Sequence, residues 1–209
     1  MILKTFVGPA NIIGIAQMGN VFFATIDIGN TLYLWDRTLA NTNTVKAQTI
    51  AMVTVPTHLV GLQDDLRTAV VNAAKIDIFD ISTGNGTADR QFILPGTIVD
   101  LARANGGNHI VAAYSNKIAL LDWTTGTTPL WTDTMTKNVA SVVAIPQSST
   151  YFVIGEDDQG SLDARIIGWD HTTMAEDFNF ATANLPDKFI DVTVSHDAEY
   201  MFAIDEAGI

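Results

Sequence analysis

Short apolar runs alternate with turn residues along the whole chain, and no stretch shows a helical period beyond a single turn. Runs of this kind, rich in Val, Ile, Thr and aromatic residues, are typical of β-strands. The runs at 98–102 and 139–145 are almost continuously apolar, which is typical of strands that are covered on both faces. The pattern therefore predicts an all-β fold.

One motif recurs four times: a strand that ends in a large apolar residue and Asp, usually followed by a turn rich in Thr or Ser. The four copies are Thr31-Leu-Tyr-Leu-Trp-Asp36, Lys75-Ile-Asp-Ile-Phe-Asp80, Lys117-Ile-Ala-Leu-Leu-Asp122 and Arg165-Ile-Ile-Gly-Trp-Asp170. Their aspartates lie 44, 42 and 48 residues apart, and a four-stranded propeller blade recurs every ~40–50 residues. Because two apolar runs precede each motif and a looser one follows it, each repeat predicts one blade of four strands.

The repeats predict a single β-propeller domain over 1–209, with blade units at 9–54, 55–95, 96–136 and 137–182. The runs at 189–194 and 200–204 predict the first two strands of a fifth, partial unit at 187–209. An open ring leaves raw strand edges, which proteins avoid. We therefore expect either a fragment of a longer propeller or a ring that another copy completes, and favour the fragment.

The repeat length and the aspartates resemble those of WD repeats, with Trp-Asp itself at 35–36 and 169–170. From Pro95 onward the chain resembles the seven-bladed propellers of mitotic-checkpoint control and mRNA export at the nuclear pore. Ser161-Leu-Asp-Ala-Arg-Ile166 stands where that family has Ser-Ile-Glu-Gly-Arg-Val, and Asp177-Phe-Asn-Phe180 where it has Asn-Phe-Thr-Phe. The resemblance implies a seven-bladed ring that binds an acidic peptide, the GLEBS motif, on a basic surface. It places Arg165 at the matching arginine of that surface.

The composition narrows the classes of function. The chain is 47% hydrophobic and only 16% charged, which excludes a disordered chain. The formal net charge of -12 argues against direct nucleic-acid binding, which needs a basic surface. The absence of cysteine excludes disulfides and thiolate metal sites. The start lacks a signal-peptide layout, and no apolar run approaches the roughly 18 residues of a membrane helix, so we expect an intracellular protein of the cytoplasm or nucleus without membrane insertion.

The densest acidic cluster is Glu156-Asp157-Asp158 with Asp163. It lacks the ligand spacing of an EF-hand calcium loop, because position twelve from Asp157 is Gly168 rather than Glu. The pattern favours a long solvated loop, and the functional alternative is a docking loop for a basic partner. Together with Arg165, these acidic residues are the candidate partner-binding residues.

Other motifs give structural predictions. Ser195-His196-Asp197 contains the residue types of a catalytic triad, but consecutive residues of an extended segment point to alternate sides, so we expect a turn. The aromatic residues Trp35, Phe79 and Trp169 share one position of the repeat, which predicts packing between adjacent blades. The histidines have no zinc-site spacing, so neither a metal nor a cofactor is expected. They are His58, His109, His171 and His196.

These patterns favour a non-catalytic WD-repeat scaffold that mediates protein–protein interactions within a larger complex. The family resemblance suggests an adaptor of nuclear mRNA export or of the spindle checkpoint that binds a peptide motif. The alternative is a propeller enzyme or a small-ligand-binding protein that uses the central channel. That alternative needs polar residues repeated on the inner strands, whereas the inner runs are chiefly Val, Ile, Leu and Ala.

Overall fold

The computed structural model describes residues 11–18, 21–36, 45–51, 56–62, 66–80, 83, 87–105, 107–146, 148–157, 165–181 and 189–205. Every regular element within these ranges is a β-strand, which confirms the predicted all-β class. No helix in this part of the chain is long and apolar enough to cross a membrane. The chain divides into two compact units, Met1–Ile93 and Leu94–Ile209.

The first unit contains two antiparallel four-stranded sheets, in each of which neighbouring strands follow one another along the chain. The first sheet has β1 (Ile12–Met18), β2 (Phe22–Asp27), β3 (Thr31–Asp36) and β4 (Val45–Ala51). The second sheet has β5 (His58–Gly61), β6 (Arg67–Asn72), β7 (Lys75–Asp80) and β8 (Arg90–Ile93).

The second unit contains two further four-stranded sheets and one two-stranded sheet, all antiparallel. The third sheet has β9 (Ile98–Arg103), β10 (His109–Tyr114), β11 (Lys117–Asp122) and β12 (Trp131–Thr134). The fourth sheet has β13 (Asn138–Ala144), β14 (Tyr151–Asp157), β15 (Arg165–Asp170) and β16 (Ala175–Ala181). The fifth sheet has β17 (Phe189–Val194) and β18 (Met201–Asp205).

Tight turns join the second and third strands of the second and third sheets. Between β10 and β11 the pair Tyr114 and Lys117 closes a two-residue loop in which Ser115 has a φ of 53°. Between β6 and β7 the equivalent loop places Ala73 at a φ of 56°. Positive φ is what a two-residue hairpin loop needs to match the twist of its strands. These short connections therefore place the second and third strands of these two sheets next to each other.

The aspartates of the repeated motif end the third strand of each four-stranded sheet, at β3, β7, β11 and β15. In the third sheet Asp122 accepts hydrogen bonds from the backbone N–H and the hydroxyl of Thr124 at 2.8 and 2.6 Å, and from the Thr125 hydroxyl at 2.7 Å. Burial alone would raise the pKa of Asp122, but these hydrogen bonds outweigh it and hold the pKa below its ordinary value. Asp170 makes the corresponding bonds to Thr172. The motif thus encodes a local turn.

Within each unit, successive sheets pack on one another, and the first strands of successive sheets are in contact. In the first unit β1 contacts β5, and Phe79 of the second sheet lies in a core cluster with Met18 and Ala24 of the first. In the second unit β9 contacts β13 and β13 contacts β17. There Trp169 is fully buried and stacks on Trp131 of the third sheet at a centroid distance of 5.1 Å. Phe79 and Trp169 therefore pack between adjacent sheets, as their repeat position predicts.

Candidate functional site

Arg165, the arginine carried over by the family resemblance, is the first residue of β15 and pairs in register with Glu156 of β14. Its Nη1 lies 3.1 Å from Glu156 Oε2 and donates to Thr136 Oγ1 at 2.6 Å. Its Nη2 lies 3.2 Å from Glu176 Oε2 on β16. The side chain is only 15% exposed. Two carboxylates of its own sheet therefore already neutralise the guanidinium.

Glu156 does not lie on a solvated loop, as the sequence had suggested, but inside β14 with a fully buried side chain. Burial raises the pKa of Glu156, and this rise is opposed by the hydrogen bond that the Lys137 backbone N–H donates to Oε1 at 3.3 Å and by the charge of Arg165. The sequence could not reveal this burial because it depends on the cross-strand position of Arg165. Glu156 therefore holds Arg165 in place and is not available to a partner.

Asp157 is the last residue of β14 and is also buried, so the loop prediction is wrong for this residue too. The remaining two acidic candidates, Asp158 and Asp163, lie outside the described residues. The structure thus brings Arg165 and Glu156 into one ion pair and places Asp157 next to it. It does not assemble the five predicted residues into one described surface.

A polar cluster that the sequence did not suggest joins the first strands of the three sheets of the second unit. The hydroxyl of Ser141 on β13 lies 3.1 Å from Asp100 Oδ2 on β9 and 2.6 Å from Asp191 Oδ1 on β17. Asp100 Oδ2 also accepts the backbone N–H of Val142 at 2.8 Å. Each strand alone is mainly apolar, and the only signal in the sequence is that a small polar residue stands at the same repeat position.

The bonding of this cluster indicates what it does. Ser141 is 2% exposed, and its hydroxyl contacts both carboxylates. Asp100 also accepts the backbone N–H of Leu101, and Asp191 accepts that of Val192. Ser141 is buried, Asp100 is half-buried and Asp191 is exposed. A buried hydroxyl that is hydrogen-bonded in this way fixes the position of its own strand relative to the two neighbouring strands. The cluster therefore stabilises the contacts of the fourth sheet with the third and fifth sheets. Among the described residues, no group of three or more His, Cys, Asp or Glu side chains is placed to hold a metal ion.

Two histidines that are far apart in the sequence come together in the second unit. His109 of β10 and His171, which follows β15, have ring centroids 5.0 Å apart. His171 is buried, and its Nδ1 donates to the carbonyl oxygen of Thr150 at 2.8 Å. Burial lowers the pKa of His109, and the charge of His171 lowers it further, against an opposing contribution from Asp122. This ring contact joins the third and fourth sheets.

Ser195-His196-Asp197 forms the turn between β17 and β18, as predicted. The Ser195 hydroxyl donates to Asp197 Oδ1 at 2.5 Å and accepts the backbone N–H of Tyr200 at 2.9 Å. The backbone N–H of Ala198, whose φ is 60°, bonds to the carbonyl of Ser195 at 2.9 Å. A catalytic triad needs a histidine between the nucleophile and the acid, whereas here the serine donates directly to the aspartate. These bonds are those of a hairpin turn.

Exposed apolar side chains of the fifth sheet lie on β18 and just before it. Phe202 is 54% exposed and Ile204 is 46% exposed, and Tyr200 lies beside Phe202 on the same side. The opposite side of this sheet is covered, because Val192 packs in a cluster with Val153 and Ile166 of the fourth sheet. We call the surface formed by Tyr200, Phe202 and Ile204 the tail face.

The chain was also compared with known proteins. No protein-family model matches the sequence, and no curated protein matches it. The function of the chain is therefore inferred from the sequence repeats, from the contacts within and between the sheets of each unit, and from the family resemblance.

Proposed function

We propose that this chain is a non-catalytic scaffold of the WD-repeat propeller type that binds protein or peptide partners. The observation that carries the proposal is the common plan of the four-stranded sheets, each of which ends its third strand in the repeated aspartate. Repeated sheets of this size, each adjacent to the next along the chain, are the building blocks of propellers. Propellers of the WD type commonly present binding surfaces on their loops and strand edges, as the resemblance implies.

The contacts between sheets support a propeller over other all-β arrangements. In each unit the first strand of one sheet lies against the first strand of the next. A propeller requires this contact because the first strand of every blade lines the central channel. A β-sandwich would instead pair two sheets face to face across a single core. By this reasoning the first strands that lie side by side within each unit, β1 with β5 and β9 with β13 and β17, are the channel-lining strands of the proposed propeller.

The hydrogen bonds of the inner-strand polar cluster support a scaffold rather than a channel enzyme. Asp100, Ser141 and Asp191 are the polar groups that the alternative function would use. Their hydrogen bonds connect them to one another and to the backbone of the neighbouring sheet. Groups held in this way stabilise the contact between sheets, which is a structural role.

The charge distribution favours a partner with basic residues. The chain carries a net charge of -12, and the connection between β14 and β15 contributes Asp158 and Asp163 to it. Arg165, the residue that would receive the acidic GLEBS peptide in the related adaptors, is paired with two glutamates. Complementary charge increases the association rate and suppresses wrong partners. We therefore propose that the 158–164 connection docks a basic segment of a partner, in a complex of the mRNA-export or checkpoint kind.

A binding experiment tests this proposal. Proteins retained by the immobilised chain would be identified, purified and titrated individually by calorimetry against the chain and two variants. The first variant combines Asp158→Asn with Asp163→Asn, and the matched control, Asp77→Asn with Asp133→Asn, removes the same charge elsewhere. We expect the first variant to weaken binding of a basic partner about tenfold or more, in a salt-dependent way, and the control to bind as the original chain does.

Three results would contradict parts of the proposal. Failure to bind any partner, combined with turnover of a small-molecule substrate, would remove the scaffold function. Equal binding by both variants would remove the 158–164 connection as the docking site. Tight binding of a GLEBS peptide that Glu176→Gln strengthens would show that Arg165 receives an acidic partner, because this substitution releases one arm of the guanidinium.

A further inference from the structure

The contact between the third and fourth sheets includes two polar contacts of different kinds. On the first strands, the backbone N–H of Val142 on β13 donates to Asp100 Oδ2 on β9 at 2.8 Å. At the ends of later strands, His109 begins β10, His171 directly follows β15, and their ring centroids are 5.0 Å apart. Histidine changes its charge between about pH 5 and pH 8. The second contact therefore responds to pH in a range that leaves the first one unchanged.

Hydrogen bonds hold the ring of His171 in place beside His109. The backbone N–H of His171 donates to the carbonyl oxygen of Thr150 at 3.0 Å, and Nδ1 donates to the same oxygen at 2.8 Å. Because a carbonyl oxygen only accepts, Nδ1 carries the hydrogen of the neutral ring, and Nε2 takes up any further proton. The ring of Phe152 lies against His171 at a centroid distance of 5.8 Å. His171 can therefore turn away from His109 only if its bond to Thr150 breaks.

Two carboxylates face the histidine pair: Asp122 of β11, which pairs with His109, and Asp170, which precedes His171. Both accept hydrogen bonds from threonines of their own turns. Tyr151 of β14 pairs with Asp170 and adds no charge, since neighbouring carboxylates raise its pKa. Burial and the charge of His171 lower the pKa of His109, and the charge of Asp122 does not outweigh them. The carboxylates therefore do not offset the effect of a second proton on the pair.

The equivalent position of the third sheet shows that packing alone does not require a histidine here. The residue after the repeated aspartate is His171 in the fourth sheet and Trp123 in the third. Trp123 is also buried, and its backbone N–H donates to the carbonyl oxygen of Asn108 at 3.0 Å, as that of His171 donates to Thr150. The position thus takes a buried ring in both sheets. In the fourth sheet that ring can acquire a charge.

We propose that His109 and His171 form an acid-sensitive contact, at which the third and fourth sheets separate locally when both rings are protonated. Two positive charges on rings 5.0 Å apart repel each other, and the partial burial of the contact strengthens the repulsion. Local separation brings both rings into water. Openings of this kind cost less free energy than unfolding of the whole protein. The contact between Val142 and Asp100 on the first strands stays closed.

Hydrogen exchange of two backbone amides, followed by NMR, tests this proposal. The N–H of His171 reports on the histidine contact and that of Val142 on the first-strand contact. Protection is the exchange rate relative to that of an unstructured peptide at the same pH. Between about pH 7.5 and about pH 5 we expect the protection at His171 to fall about tenfold or more. At the lower pH, dilute urea should change the rate at His171 less than about twofold but clearly accelerate exchange at Val142, because a local opening exposes little surface.

Variants that remove one titratable ring provide the comparison. In His171→Asn the new side-chain amide can still donate to the carbonyl of Thr150, and His109→Gln removes the other ring. We expect the fall in protection at position 171 to shrink to about twofold or less in each variant. His196→Gln is the matched control, because it removes an exposed histidine of the same unit. Circular dichroism would establish that each variant is folded.

An NMR titration of the imidazole protons of His109 gives an independent measurement. In His171→Asn we expect the pKa of His109 to rise towards its ordinary value, because the charge of His171 contributes to lowering it. Three results would overturn the proposal. They are an unchanged pKa of His109 in this variant, a protection at His171 that acid leaves unchanged, and exchange at His171 that urea accelerates as strongly as at Val142. A fall in protection that persists in both histidine variants, or is lost in His196→Gln, would overturn it equally.

Discussion

Arg165 and Glu156 form an ion pair across neighbouring strands of the fourth sheet. Because both side chains are largely buried, each charge is compensated by the other rather than by water. Removing one partner of a buried ion pair leaves the other charge without compensation, which costs about 3 kcal/mol or more. We therefore expect Arg165→Ala to lower the free energy of unfolding by about 3 kcal/mol, because Glu156 is fully buried. Denaturation in urea, followed by circular dichroism, measures this change.

Glu176→Gln is the control for this prediction. It removes the other carboxylate that contacts Arg165, but the Glu176 side chain is 41% exposed, and exposed ion pairs contribute about 1 kcal/mol or less. If Arg165→Ala and Glu176→Gln changed stability by the same small amount, the pair with Glu156 would not be the buried contact described here.

The lowered pKa of His109 makes the free energy of unfolding depend on pH. Because its pKa in the folded protein lies below the ordinary value of 6.5, the unfolded chain binds the proton first as the pH falls. The stability from neutral His109 is thus complete above pH 6.5 and is lost as the pH falls towards its lowered folded pKa. We expect His109→Gln to flatten this fall in the free energy of unfolding. His58→Gln, which changes a histidine of the other unit, should leave it in place, and an unchanged slope in His109→Gln would contradict the prediction.

The close packing of β5 on β1 can be tested by a substitution at Gly61. Gly61 of β5 lies so close to β1 that a Cβ atom there would stand 2.0 Å from the backbone oxygen of Gln17. The backbone must move to admit it, and overpacking of this kind costs about 1–3 kcal/mol. We expect Gly61→Ala to lower the melting temperature clearly. In Gly107→Ala the added Cβ would meet only His109 Nδ1, at 4.0 Å, so a comparable loss there would contradict the reasoning.

How well each element could be predicted depends on whether its interactions are local. The turn after Asp122 is encoded within three residues, since Thr124 and Thr125 supply its hydrogen bonds, and so the repeat and the third strands could be predicted from the sequence. The hairpin at Ser195 could be predicted for the same reason. The end of β14 could not, because an acidic run is typical of loops and only the cross-strand Arg165 makes its burial possible.

At the scale of the whole molecule, the contacts between sheets could not be predicted from the sequence. Asp100, Ser141 and Asp191 belong to three different repeats, and nothing in any one strand indicates that they meet. The pairing of His109 with His171 was missed for the same reason. The apolar residues of the tail face looked like ordinary strand residues, because exposure depends on which neighbouring sheet is present. The period of the repeat thus predicted the sheets, and their mutual contacts required the structure.

The proposed propeller is the central claim, and distances between spin labels test it most directly. The chain has no cysteine, so cysteines for labelling can be introduced in pairs in the turns between the first and second strands. The five positions, in order of the sheets, are Val21, Leu66, Asn105, Ser149 and His196. Electron–electron resonance would give the distance from Val21 to each of the others. In a seven-bladed ring we expect the distance to increase to Ser149 and then to be the same to His196. A distance that increases by an equal step from each sheet to the next would contradict the propeller.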